Sequence, residues 1–436
     1  MKHSRKPALL ILTSSFPASP SDETCGYVRD FARSMSAYFE VEVLAPPDRR
    51  AAKWPADVFK LTRSTSLLPS RFDRFQATSD LTELASASVA TKLCSLPSLL
   101  SFVCRAFVMS LRAEVICSHW LAPSGVAGAL ASRILRKPHI AIEHSGAVHF
   151  LAKSRLGRRI ARFVIDGSDR VVVVSSNLKL KLLKMCPEAG EKTEVIPMGC
   201  FANAKRCVHG GTPLQADNAR TVLFIGRLVE IKGVDLLLAA LRGMKNVQLI
   251  IAGDGELQRD LEDRALELSV AARFVGQVGA LEREALLSSC DVVVIPSRVL
   301  ADGRSEGTPV TCFEAMAAGR VVIAARTGGL SDVIVDGQNG LLFEPGDYCM
   351  LREKVLLALE DENLRRRISS NARRCAQAYD WSQVGEEFSK IVVSALTRNV
   401  RSRAFRRKVA RSGTLGYEPR PEGGTTNTAL RTPNQA

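Results

Sequence analysis

Residues 291–325 read DVVVIPSRVLADGRSEGTPVTCFEAMAAGRVVIAA, and the rest of the chain is ordered around them. Asp291 to Ile295 and Arg320 to Ala325 are short apolar runs of the kind buried on both faces of a parallel sheet. The residues between them read as a loop and a short helix, which makes a βαβ unit. Thr308 is expected at the N-cap of that helix and Pro309 at its first position, because a hydroxyl satisfies a first-turn amide and a proline has no amide to lose there. The amides of Gly307 to Val310 then lack intrahelical partners and sit at the positive end of the helix dipole, where phosphate or sugar oxygens are well received. Glu306 lies just outside the helix and Glu314 in its second turn. A carboxylate accepts through two oxygens and matches a vicinal diol, so two of them around an anion-binding helix start point to a sugar nucleotide. Two surface glutamates on an ordinary βαβ unit are the alternative that these residues alone leave open.

The wider pattern adds a resemblance. Glu306-Gly307-Thr308-Pro309, followed by Phe313-Glu314-Ala315-Met316-Ala317 and Gly319, resembles the E-x7-E signature of the family 4 retaining glycosyltransferases. The likeness continues upstream through Asp302-Gly303-Arg304 and downstream through Gly328-Gly329 and Asp336-Gly337 to Gly340-Leu341-Leu342. It implies an α/β fold of the GT-B type, with two Rossmann-like domains whose parallel sheets face each other across a cleft. It further implies an acceptor-side domain at 1–200, a linker at 201–219 and a nucleotide-sugar domain at 220–380. A helix at 381–400 would cross back to the first domain with Trp381 as its anchor, ahead of a basic, disordered tail at 401–436.

A chain of 436 residues accommodates two domains of about 200 each, and 46% apolar content suffices for two cores. The 11 cysteines are scattered with neither a C-x-x-C pair nor zinc spacing, a usage that fits a reducing cytoplasm and buried thiols. The apolar run Pro7 to Leu12 is too short for a signal-peptide core. Leu93 to Leu111 is interrupted by Pro97, Arg105 and several serines, so no transmembrane helix is expected. The formal charge of +15 calls for an anionic partner, and much of the excess lies between Arg398 and Arg411. No helix-turn-helix, zinc finger or aromatic-rich RNA motif accompanies it, which argues against nucleic acid.

In the first half, Ala8 to Thr13 reads as a strand, and the loop after it leads to a helix from Tyr27. No G-x-G-x-x-G follows that strand, so a nicotinamide or flavin site has little support. Gly26 stands where an absent side chain admits a close ligand, and in the resembling family this loop approaches the donor diphosphate. Glu114 to Cys117 is a strand that ends at His119-Trp120, where the Trp120 ring either stacks on a sugar or is simply buried. His139 to Glu143 is another, with His144 at its C-terminal edge, where open parallel sheets bind ligands. The resemblance makes His144 the active-site histidine, with His119 and His149 as weaker candidates. Leu151 to Ile165 reads as one helix, apolar on the face of Leu156, Ile160, Phe163 and Val164 and basic around Arg155, Arg158, Arg159 and Arg162. Such a helix either lies on an anionic membrane surface or presents a solvated basic face. Lys153, Lys179, Lys181 and Lys184 extend the same charge.

In the second half, Thr221 to Ile225 opens a sheet and is followed by Arg227, Lys232 and a helix from Val234. Two fixed cations and a helix start around one point suit a leaving diphosphate, and Arg227 and Lys232 match the phosphate-binding pair of the resembling family. That likeness also assigns the ribose to Glu314 and the transferred sugar to Glu306 and His144. It leaves Gly26, Gly307, Thr308 and Pro309 around the donor, and Trp120 with the four arginines toward an acceptor or membrane. It implies a UDP-sugar or GDP-sugar donor and a glycan or lipid-linked acceptor, on the cytoplasmic side. No cofactor is expected and, without an Asp-x-Asp pair, no metal. A sugar-nucleotide epimerase or phosphorylase of the same fold, and a non-catalytic basic protein on membrane or nucleic acid, are the competing readings.

Overall fold

The computed structural model describes residues 5–20, 22, 24–48, 50–51, 54, 57–65, 89–144, 146–202 and 220–412, with the side chains of 89–94 and 400–412 outside that description. The expected linker at 201–219 therefore falls almost wholly outside the described residues, as does the end of the basic tail.

Seven strands of the first half form one sheet. They are β1 (Ala8–Thr13), β2 (Glu40–Ala45), β3 (Lys60–Arg63), β4 (Val115–His119), β5 (His139–Glu143), β6 (Arg170–Val173) and β7 (Thr193–Val195), in spatial order β3-β2-β1-β4-β5-β6-β7. Six strands of the second half form another: β8 (Arg220–Ile225), β9 (Val247–Ala252), β10 (Ala272–Gly276), β11 (Val292–Ile295), β12 (Val321–Ala325) and β13 (Leu341–Phe343), in the order β10-β9-β8-β11-β12-β13. Every pairing in both sheets is parallel. The cause is visible in the strands themselves: β4, β5 and β12 are buried at every residue, as helix-covered parallel strands must be. The two sheets are those of two Rossmann-like domains. In each, the chain reverses its direction of travel beside the first strand, between β1 and β4 and between β8 and β11. Loops leaving those strand ends diverge and open a crevice, and Gly26, Trp120, Arg227, Lys232 and Glu306 lie in the segments that follow these strands.

The helix Trp381–Ser412 begins next to the second sheet and packs its first turns on the first. Trp381 is 3% exposed and joins Val384, Phe388 and Ile391 in the core under β1 and β2. Phe388 meets Phe31 edge-on at 4.9 Å, and the Ser34 hydroxyl donates to the Trp381 carbonyl at 2.8 Å. A Cβ on Gly199 would lie 2.7 Å from the Trp381 indole, so only glycine lets the chain pass there.

Three local expectations need correction. The helix expected over Leu151 to Ile165 is two helices, Gly146–Ala152 and Arg155–Asp166, because Ser154 is extended (φ −133°, ψ 155°) and its side chain caps Gly157 N at 2.9 Å. The cap of the helix Val310–Ala317 is Pro309, extended and without a side-chain hydrogen bond, and Thr308 instead donates to Val174 O at 3.2 Å. The last helix continues past 400 to Ser412, so 401–412 are helical, not disordered. After Gly385 no glycine or proline interrupts this arginine-rich run before Gly413, and arginine and lysine are good helix formers.

Candidate active site

The second-sheet wall starts where β8 ends. A 3-10 turn, Glu230–Lys232, leads through Gly233 in the left-handed region (φ 65°) into the helix Val234–Leu241. A Cβ on Gly233 would meet Pro296 O at 2.1 Å, so the absent side chain lets the loop after β11 close over the turn. That closure brings Lys232 against Glu306 as an ion pair, while the Ser297 hydroxyl donates to the other oxygen of the same carboxylate. Both charged side chains are largely buried, with 17% and 13% exposed. Arg227, just after β8, is exposed and makes no ion pair among the described residues. Glu314, in the second turn of Val310–Ala317, accepts from Arg283 at 3.0 Å, which holds its carboxylate in place. Arg283 is a site residue that sequence reading missed, since 31 residues separate it from Glu314 and no motif marks it.

The loop carrying Glu306 touches the first domain directly. Gly307 is so close that a Cβ there would fall 2.7 Å from the carbonyl oxygen of His144 and 2.9 Å from Val174 Cγ2. Gly329 N donates to Gly307 O at 3.0 Å, fastening the loop from behind. Further out, Lys153 pairs with Asp302 at 2.9 Å, and Lys181 donates to Ser305 Oγ at 3.2 Å and Gly303 O at 3.3 Å. These two lysines, grouped by sequence with a surface patch, hold the segment 302–305. Lys153 depresses the Asp302 carboxyl well below its usual range by donating to it. His149 contacts Lys181 at 3.2 Å, and burial with that neighbouring charge pushes its imidazole down to about 4.

The first-sheet wall is aromatic. His119 ends β4 and His144 follows β5, and His119 Nδ1 lies 2.9 Å from His144 Nε2. Burial keeps both neutral, pushing His144 down to about 3 and His119 well below the ordinary histidine range. Trp120 and Tyr27 each set a ring 4.9 Å from that of His144. Trp120 does so with φ 68° and ψ 141°, a conformation that costs a tryptophan about 1–3 kcal/mol and that surrounding structure must impose. The Leu121 amide donates to buried Glu143 at 2.9 Å, and Trp120 N to Ile142 O at 2.7 Å, which fixes the turn. Gly26 opens the helix Gly26–Met35 next to Tyr27, after Cys25 in the left-handed region (φ 53°).

The structure thus brings Glu306, Gly307, Thr308 and Lys232 together with His144. It puts Trp120 beside His144 and not with the arginines it was grouped with. Arg155, Arg158, Arg159 and Arg162 are exposed on the helix Arg155–Asp166, where Arg158 donates to Ala152 O at 2.9 Å and Arg162 pairs with Glu188 at 2.7 Å. Among the described residues no group of three or more His, Cys, Asp or Glu is placed to hold a metal ion.

Residues 26–199 match the model of the glycosyl transferase 4-like domain, and residues 212–375 that of the glycosyl transferases group 1. An uncharacterized glycosyltransferase of Methanocaldococcus jannaschii is 30% identical over 272 residues, 62% of this chain and 72% of that one. The chain belongs to the family 4 glycosyltransferases. This glycosyltransferase is also 27% identical over 270 residues, 60% of its length and 70% of the relative's, to a Campylobacter jejuni alpha-1,4-N-acetyl-D-galactosaminyltransferase named for a glycan on PP-undecaprenol. Its fold is that of Anabaena HepE in complex with UDP, with a TM-score of 0.67 at 21% identity over 89% of this chain and 100% of that one. The likeness to HepE is one of the GT-B fold.

Proposed function

We propose that this glycosyltransferase moves a sugar from a nucleotide diphospho-sugar to an acceptor hydroxyl with retention of anomeric configuration. The observation that carries the reading is the Lys232–Glu306–Ser297 cluster, whose Glu306 is followed by Gly307 packed against the His144 carbonyl. Lys232 has three N–H donors and keeps Glu306 while offering another to a phosphate oxygen. Arg227 supplies a second cation, unpaired among the described residues, and the starts of the helices Val234–Leu241 and Val310–Ala317 add their positive ends. Charge growing on the departing diphosphate is met by these fixed groups, which is electrostatic stabilisation without a metal. Glu314, steadied by Arg283, accepts from the ribose diol; Glu306 and His144 bind the hydroxyls of the sugar in transit. Gly26 and the backbone of Gly307, Thr308 and Pro309 approach the phosphates. No side chain is assigned as a nucleophile; an oxygen of the leaving phosphate takes the acceptor proton on the same face.

The donor class is supported by the UDP complex of the HepE neighbour, and a lipid-linked glycan acceptor by the undecaprenol in the name of the Campylobacter relative. A membrane surface as a further partner in this reading is supported by the exposed side chains of three neighbouring helices. The helices Val89–Ser110, Val126–Leu135 and Arg155–Asp166 pack side by side and expose Leu100, Val108, Ile134 and Leu156 among Arg105 and Arg159. Apolar groups interleaved with arginine complement an anionic bilayer, into which the former dip while the latter meet headgroups. No helix among the described residues is long and apolar enough to cross a membrane.

Calorimetry with UDP, GDP and ADP in EDTA, on the native chain and on Glu314→Ala, tests the site. One nucleotide should bind at micromolar affinity and the variant should lose it; equal affinity in both proteins overturns the role of Glu314.

A further inference from the structure

His119 and His144 belong to adjacent strand ends and meet because β4 and β5 run in register, with His119 opposite Ile142. Their ring planes differ by only 8°, with centroids 5.1 Å apart and the two nitrogens at 2.9 Å. Parallel rings at that separation with nitrogens in contact lie edge to edge in one plane, so the contact is a hydrogen bond with good alignment and not a stack. Both imidazoles are neutral, which leaves two possible placements of their protons. If His144 Nε2–H donates, His119 must carry its own proton on Nε2. If His119 Nδ1–H donates, His119 Nε2 is a bare lone pair and His144 carries its proton on Nδ1.

His119 Nε2 decides between them. His119 is 0% exposed, and this nitrogen is buried with no hydrogen-bond partner among the described residues. Phe31, edge-on at 4.9 Å, offers at most a π face, a far weaker acceptor than oxygen. An orphaned N–H is the rarer and costlier defect, whereas an unused lone pair is better tolerated. We infer that His119 is a positioning residue that donates from Nδ1 to His144 Nε2 and so holds His144 as the Nδ1–H tautomer, a fixed donor to a ligand oxygen beside Trp120 and Tyr27. Imidazole in water favours the opposite, Nε2–H form, so His119 reverses the default. The inference rests on the sugar-transfer reading only for its use, because the tautomer is a property of the chain without ligand.

The test is two-bond 1H–15N correlation spectroscopy of the protein labelled in its 6 histidines, which separates protonated from bare ring nitrogens. The His144 signals are identified by their loss in His144→Gln. His144 should show a protonated Nδ1 and a bare Nε2, and His119 a bare Nε2. His119→Asn keeps an N–H near the Nδ1 position and should preserve the His144 pattern. His119→Phe removes it, and should slow release of nucleoside diphosphate from UDP-glucose or GDP-glucose by roughly 10- to 100-fold, with His119→Asn recovering most of the loss. A protonated Nε2 on His144 in the native chain overturns the inference, as does a protonated Nε2 on His119. Should the Phe variant fail to fold, the native spectrum decides alone. A native chain with the Nδ1–H form but no turnover would sink the sugar-transfer reading and leave this one standing.

Discussion

Replacing Lys232 by alanine separates the charge balance of the site from its chemistry. Lys232 and Glu306 are 17% and 13% exposed at their side chains, and Ser297 donates to the same carboxylate. Removing one partner of a fully buried pair costs about 3–5 kcal/mol, because the remaining charge is left uncompensated. The residual exposure and the hydroxyl donor soften that here to about 2 kcal/mol. For a domain of this size the loss corresponds to a drop in Tm of about 4–8 °C. Glu306→Gln in the same background removes the stranded charge while leaving Ser297 an oxygen to donate to. The double variant should therefore regain most of the melting temperature while nucleotide binding stays lost with the lysine. Thermal melts and calorimetry on the native chain, both single variants and the double variant measure this. A Lys232→Ala protein that melts within about 1 °C of the native one, or a double variant no more stable than Lys232→Ala, refutes the argument.

Gly307→Ala puts a methyl 2.7 Å from the His144 carbonyl, a backbone atom that cannot swing aside, so the loop must retreat. Nucleotide affinity should fall at least about tenfold with a stability cost of about 1–3 kcal/mol; undiminished binding by calorimetry would contradict it. Burial sets His144 at about 3 and His139 at about 4, and His119 well down, all below the unfolded value of about 6.5. The unfolded chain thus takes up protons that the folded one refuses. The contribution of these imidazoles is complete above about pH 6.5 and is lost as the pH falls toward 3, by up to about 1.4 kcal/mol per unit for each. The urea midpoint should drop from pH 7 to pH 5, and His144→Gln should flatten part of that slope; an equal slope in the variant would refute the assignment. On the membrane surface, Arg155→Glu combined with Arg159→Glu should abolish sedimentation with phosphatidylglycerol vesicles at low salt, and a native chain that never sediments ends that proposal.

The parallel α/β architecture was legible because β11, β12 and their neighbours are unbroken apolar runs, and the helix between them is short and flanked by Gly and Pro. The sequence reading failed where a contact spans the fold. His119 and His144 lie 25 residues apart and meet only through the register of β4 and β5, so the pair has no signature in the chain. Lys153 and Lys181 read as surface charge because their partners, Asp302 and Ser305, lie more than a hundred residues away. Thr308 carried a good capping side chain, but the second domain met the first at Val174 and took the hydroxyl for that contact. The break at Ser154 was of a different kind: the cap was local and visible, and the apolar spacing across it concealed it.

The most direct test of the account follows the donor sugar by proton NMR, in EDTA, with UDP-glucose or GDP-glucose and a lipid-linked glycan acceptor. The account predicts free nucleoside diphosphate appearing in step with a glycoside of the same anomeric configuration as the donor. An isomerised sugar nucleotide, an inverted linkage, or turnover that appears only when manganese is restored would contradict it.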